Sequence, residues 1–189
     1  TSIAVAFART PMILANIGHD LNAASKGRFI LGIGSQIRPH IAKRFSMPWG
    51  APAAKMRELV LAMRAIWANW YDGTKLEFVG KFYNHTLMTP AFTPENKEYG
   101  APKVILAAVG PHMTEVAGEV ADGMIIHPFS TLPFINTVTL PAIERGLAKA
   151  GRRRADFEIS YSNFVVSGRT EEEFKKSKQA NKERIAFYG

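Results

Sequence analysis

Side chains able to do chemistry are few in this chain, and they sit at recognisable joints. Ser35 and Gln36 follow Gly32-Ile33-Gly34; Val109-Gly110-Pro111-His112-Met113-Thr114 and His127-Pro128-Phe129-Ser130-Thr131 each follow a short apolar run. Hydroxyl, amide and imidazole groups at such places can hydrogen-bond the polar edge of a ligand, and the glycines let it come close. Gly110 before Pro111 also exposes free N–H groups at the start of a helix, whose positive end favours a phosphate. Each feature has a plain structural reading beside this one. Gly32 and Gly34 relieve packing or form a bulge, Gly110-Pro111 simply opens a helix, His40 satisfies a loop carbonyl, and His19-Asp20 serves the middle of a helix. No catalytic triad, carboxylate pair or metal-ligand cluster stands out.

Positioning these groups requires strands that end at them. Ser2 to Phe7 reads as a buried strand, and Thr10 caps a helix with Pro11 in its first turn. Ile13, Leu14, Ile17, Leu21 and Ala24 recur at helical spacing, and Gly27 stops that helix. The run Arg28 to Ile33 is apolar enough for a strand buried on both faces. Ile37 to Pro52 is longer than an ordinary strand-to-helix loop, which marks it as a lid or binding loop. Met56, Leu59, Val60, Met63, Ile66, Trp67 and Trp70 make one core stripe of a helix over Lys55 to Trp70. From 71 to 100 the periodicity breaks, with a hairpin suggested at Leu76 to Tyr83.

Lys103 to Val109 resumes as a strand, followed by a helix carrying Met113, Val116, Ala117, Val120 and Ala121. Met124 to Ile126 is a further strand. Leu132 to Ala150 is helical, broken near Pro141 and ended by Gly151. Phe157 to Val166 predicts another strand, and Thr170 with Glu173 makes a capping box for a last helix running towards Tyr188. Strands and helices in alternation call for a parallel sheet with right-handed crossovers. An open doubly wound sheet closes the count as it stands, whereas a (β/α)8 barrel needs about 250 residues and therefore missing strands.

The chain has 189 residues, 47% hydrophobic and 21% charged, ordinary for a globular protein. It has no cysteine, which excludes disulfides, thiolate metal sites and cysteine nucleophiles. No apolar run approaches the roughly 18 residues of a membrane span, and no export signal is visible, so a cytoplasmic protein without a membrane partner is expected. The net charge of +8 comes from Lys43-Arg44, Arg152-Arg153-Arg154 and the stretch Lys175 to Arg184. No nucleic-acid motif interleaves these with aromatics, so they read as a solvated basic face rather than a nucleic-acid surface. Thr1 opens directly into a strand, as in a fragment of a larger architecture.

Gly27 to Gln36, His40 to Trp49, Met124 to Phe129 and above all Ala107 to Gly123 resemble the bacterial luciferase-like flavin-dependent oxidoreductases, specifically the branch that uses the deazaflavin coenzyme F420. The resemblance implies a (β/α)8 barrel only partly present: one domain over 1–189 running from strand three to strand seven, with the family's non-barrel excursion at 71–100. It implies a non-prolyl cis peptide under the flavin ring at Ser2-Ile3. It also implies cofactor contacts from Ser35 and Gln36, from Val109, Gly110, Pro111, His112, Met113 and Thr114, and from His127, with Ser130 and Thr131 more loosely. Phe7, Phe45 and Trp49 become candidates for an apolar wall, and Arg9 for a contact with an acidic group.

Two departures narrow the activity. The cysteine and arginine that luciferases carry after strand four are Gly34 and Ser35 here. The acidic glutamate of some sugar-phosphate dehydrogenases falls near Ile37. The expected activity is hydride transfer between F420 and a small organic substrate, with the cofactor carrying the chemistry, no metal, and a homodimer or higher homo-oligomer as the assembly. An FMN-dependent monooxygenase is the alternative within the class. A non-catalytic flavin-binding or truncated half-barrel protein is the alternative outside it.

Overall fold

The computed structural model describes residues 1–188; Gly189 lies outside the described residues. The first strand, β1 (Ala4–Val5), is shorter than Ser2 to Phe7 because the chain turns into a 3-10 segment at Ala6–Ala8. There follow α1 (Pro11–Ala24), β2 (Ile30–Gly34) and α2 (Pro52–Asp72). A small antiparallel hairpin, β3 (Phe78–Val79) with β4 (Asn84–His85), lies slightly beyond the expected place. Then come β5 (Lys103–Ala108), α3 (Pro111–Val120), β6 (Gly123–Ile126), α4 (Leu132–Phe134), α5 (Leu140–Lys149), β7 (Glu158–Tyr161) and α6 (Glu171–Tyr188).

All five long-range strands are parallel, in the order β1-β2-β5-β6-β7. Because sequence neighbours are always spatial neighbours, the order never reverses, and right-handed crossovers place every helix on one face. A doubly wound sheet needs a reversal. The chain is therefore a five-stranded arc of barrel wall with one helix-covered face.

That covered face holds the core. Leu31, Ile33, Val104, Leu106, Met124 and Ile126 point at the helices and are buried, and the whole predicted stripe of α2 is buried against them. Helix α1 turns the other way from expectation: Ile13, Ile17 and Leu21 are 49%, 37% and 44% exposed, while Leu14, Ala15, Gly18, His19 and Asn22 face inward. The reason is close approach. At Gly18 a Cβ would stand 3.2 Å from Pro102 and Trp67 and 3.4 Å from Leu31, so α1 presses its small residues, not its largest, onto the sheet. His19 is held there by Tyr71, Nδ1 to hydroxyl at 2.6 Å, which bears out its structural reading.

The break near Pro141 takes the form of a π-turn at Ile135–Thr139, where the amide of Leu140 reaches back to the carbonyl of Ile135 before the proline, which has no N–H to donate. Strand β7, on the outer edge, ends at Tyr161 rather than Val166. Among the described residues no helix is long and apolar enough to cross a membrane.

Candidate functional site

The register brings the C-terminal ends of the strands level. Val5 pairs with Gly34, Ile33 with Leu106, Ala108 with Ile126, and Ile126 with Tyr161. Every strand-to-helix connection therefore leaves from one rim, and the groups singled out at Ser35, Gln36, Val109 to Thr114, His127, Ser130 and Thr131 are gathered on it. The face turned away from the helices carries Ile3, Gly34, Ala107 and Ile125, which makes an apolar floor below the rim.

Ser2 and Ile3 run beside β2, joined by a cis peptide bond at the position the resemblance implies. Ser2 is exposed and Ile3 half-buried. Above them the connection from β2 to α2 is tightly folded on itself. Ser35 Oγ donates to the Gln36 carbonyl at 3.0 Å, and the Gln36 side-chain oxygen accepts the amide of Ile37 at 3.1 Å. Gln36, Ser46 and Ala51 all adopt positive φ in this one loop, a conformation uncommon outside glycine and concentrated at binding loops. A π-turn at His40–Arg44 buries Ile41 beneath it. His40 Nδ1 is buried with no hydrogen-bond partner, so it does not satisfy a loop carbonyl.

The first turns of α2 and α3 face each other across a cleft of about 400 Å³ lined by Ala51 to Ala54 and Gly110 to Met113. The first hydrogen bond of α3 runs from the Thr114 amide to the Gly110 carbonyl at 3.0 Å, which leaves the amides of His112 and Met113 without intrahelical acceptors. A Cβ built on Gly110 would meet nothing within 4 Å. One turn in, Thr114 is fully buried, and its hydroxyl has no partner. Open space, unpaired amides, a helix's positive end and an orphaned hydroxyl fit a phosphate-bearing group.

On the far side of the rim His127 Nδ1 accepts the amide of Phe129 at 3.3 Å, and its ring packs edge-on against Phe129 with centroids 4.9 Å apart. The Tyr161 hydroxyl donates to the Ser130 carbonyl and fixes this loop to β7. His112 is exposed, and Met113 packs partly on the core. Phe7 is core rather than open wall: it is 2% exposed, with the Trp49 ring steeply inclined to it at 5.8 Å between centroids and the ammonium of Lys55 4.9 Å from its centroid. Burial lowers the pKa of Lys55. Among the described residues no three His, Asp or Glu side chains gather as metal ligands.

Two parts of the rim escaped sequence reasoning: Lys55 and the wall Ala51 to Ala54. The run of small residues Gly50-Ala51-Pro52-Ala53-Ala54 was the available signal, since it keeps a helix start low enough for something to pass over it.

A family model described as Luciferase-like monooxygenase matches residues 1–188. An uncharacterized protein of Mycobacterium tuberculosis is 57% identical over 189 residues, covering 100% of this chain and 56% of its own length. The F420-dependent glucose-6-phosphate dehydrogenase of Rhodococcus erythropolis is 30% identical over 156 residues, 80% of this chain and 44% of the relative. Among solved structures, the EDTA monooxygenase of Chelativorans sp. BNC1 superposes with a TM-score of 0.72 at 19% identity, over 92% of this chain and 44% of that one. The chain spans about half the length of the curated relatives it matches.

Proposed function

The chain belongs to the luciferase-like monooxygenase family, and from that membership we propose that it supplies the cofactor-binding wall of an oxidoreductase acting on a small organic substrate with F420. Its similarity to an F420-dependent dehydrogenase supports the choice of cofactor. The observation that carries the reading is the start of α3, where open space at Gly110 and the unpaired amides of His112 and Met113 border the cleft shared with α2, with the buried, unpartnered Thr114 hydroxyl one turn behind.

F420, when bound, supplies a ring that accepts or donates a hydride. The chain's own residues bind and orient. The amides of His112 and Met113, with the positive end of α3, hold a phosphate, and Thr114 offers a hydroxyl to the same group. Ser35, Gln36 and His127 offer polar contacts at the strand ends. Ile3, Val109 and the floor at Ala107 keep water from one side of a flat ring, which fixes its plane.

The test is a fluorescence titration of the purified protein with F420 and, separately, FMN. Micromolar binding of F420 that Gly110→Val weakens supports the reading. Binding of FMN alone moves the protein to the FMN-dependent alternative, and binding of neither overturns the cofactor assignment.

A further inference from the structure

The strand-to-helix connections are electrostatically one-sided. None of the sixteen acidic residues lies in any of the five, whereas Arg9, Arg38, Lys43, Arg44 and Arg169 do. The acids collect elsewhere: Glu77, Glu95, Glu98, Asp122 and Asp156 occupy connections that return to the sheet, and the ion pairs among the described residues join side chains outside the rim loops. The rim loops themselves thus contribute only positive charge to the local field, while Glu58 and Glu171 to Glu173 stand in the first two turns of the helices that follow.

The field has a focus at Phe7. Lys55, in the first turn of α2, places its ammonium over the Phe7 ring, and Trp49 abuts the same ring from the loop. Arg9, two residues along, is half-buried, and its guanidinium donates only to the Val5 carbonyl at 2.9 Å. Neither cation has a carboxylate within ion-pair distance among the described residues. Partly burying an ammonium without a counter-ion is unfavourable, as the lowered pKa of Lys55 reflects, and a bound anion would remove that penalty.

We infer that the substrate of this site is an organic anion whose carboxylate or phosphate is held between Lys55 and Arg9, with its apolar part against Trp49. This rests on the reading of the rim as the reactive end of an oxidoreductase. The same chemistry could come from an anionic arm of the cofactor, and the experiment separates the two.

Benzoate, with neutral benzamide as control, is titrated against the protein while tryptophan fluorescence is followed, first alone and then with F420 at saturation. The expected result is saturable benzoate binding, no benzamide binding, and a loss of affinity of about tenfold or more in Lys55→Met, restored in Lys55→Arg. Raising salt from about 50 to 300 mM should weaken the binding, as screening of an exposed charge requires. Retention of benzoate under saturating F420 assigns the site to substrate; displacement by F420 assigns it to the cofactor and overturns the inference. Equal binding of benzoate and benzamide, or no effect of Lys55→Met on a protein whose melting temperature is unchanged, also overturns it. Benzoate binding in a protein that takes neither F420 nor FMN leaves the anion site standing while the cofactor reading falls.

Discussion

The side chain of Ile3 occupies the place that a side chain at position 34 would need: a Cβ on Gly34 would run into Ile3 Cδ1 and come within 3.4 Å of Ala107. One step earlier, the Thr1 carbonyl stands where a Cβ on Gly32 would go. Both glycines are thus demanded by close approach, and what approaches is the protein's own preceding segment, not a ligand. Gly34→Ala should cost about 1–3 kcal/mol, as overpacking in a closed space does. Pairing it with Ile3→Ala should return most of that loss, since the clash is between two side chains. Gly32→Ala should be worse and unrescued, because a backbone carbonyl cannot rotate away. Denaturation midpoints of the single and double variants check this; additive losses at positions 3 and 34 would show that the two do not meet.

Glu58, in the second turn of α2, accepts the amides of Lys81, Phe82 and Tyr83 at 3.0, 2.6 and 2.6 Å. One carboxylate therefore clips the turn of the β3–β4 hairpin to the rim end of α2. A charged acceptor of this kind contributes about 1.5–3 kcal/mol per well-made bond, most of it local here. In Glu58→Ala, amide exchange at residues 81–83 should accelerate by about tenfold or more while the midpoint of global unfolding moves little. A large global loss with unchanged local exchange would show instead that Glu58 serves the core.

Alkaline stability should report on the same hairpin. Burial, reinforced by the charge of Glu58, pushes the Tyr83 hydroxyl up to about 12. Below the ordinary tyrosine value of about 10 both folded and unfolded chains keep the proton and nothing is lost. Above it the unfolded chain releases the proton while the folded one holds it, so stability falls as pH rises from about 10 through 12. For a half-buried ring screened by solvent the loss is on the order of 1 kcal/mol. Lys55, lowered by burial, works in the opposite sense, so the informative quantity is the difference between the protein and Tyr83→Phe. The variant should show the shallower decline; identical slopes would remove Tyr83 as the cause.

How much of this was legible depended on whether the deciding contact was local. The stripe of α2 was, because seven large apolar residues at helical spacing leave a single face to bury. The face of α1 was not: Ile13, Ile17 and Leu21 outweigh Ala15 and Gly18 on any hydrophobic scale, yet the space beside Pro102 and Trp67 admits only the small residues. Both edge strands came out short, since an apolar run cannot reveal that a strand has one neighbour. At the site, Gly-Pro and Gly-rich punctuation marked the strand ends from sequence alone. The seat of Lys55 over Phe7 was invisible, because it needs the tertiary meeting of two connections.

Thr114 separates a site from a well-capped helix. Its hydroxyl is buried without a partner, and an unsatisfied group of this kind costs about 1–3 kcal/mol when nothing binds it. Thr114→Val keeps the shape and removes the group. If the hydroxyl waits for a ligand, the variant should be as stable as the protein or more so, by up to about 1 kcal/mol, and should bind F420 about tenfold more weakly. Gaining stability while losing affinity is the signature of a position that folding tolerates for the sake of binding. Calorimetry for the first quantity and titration for the second give the answer together, and a variant that gains stability at unchanged affinity would take Thr114 out of the cofactor site.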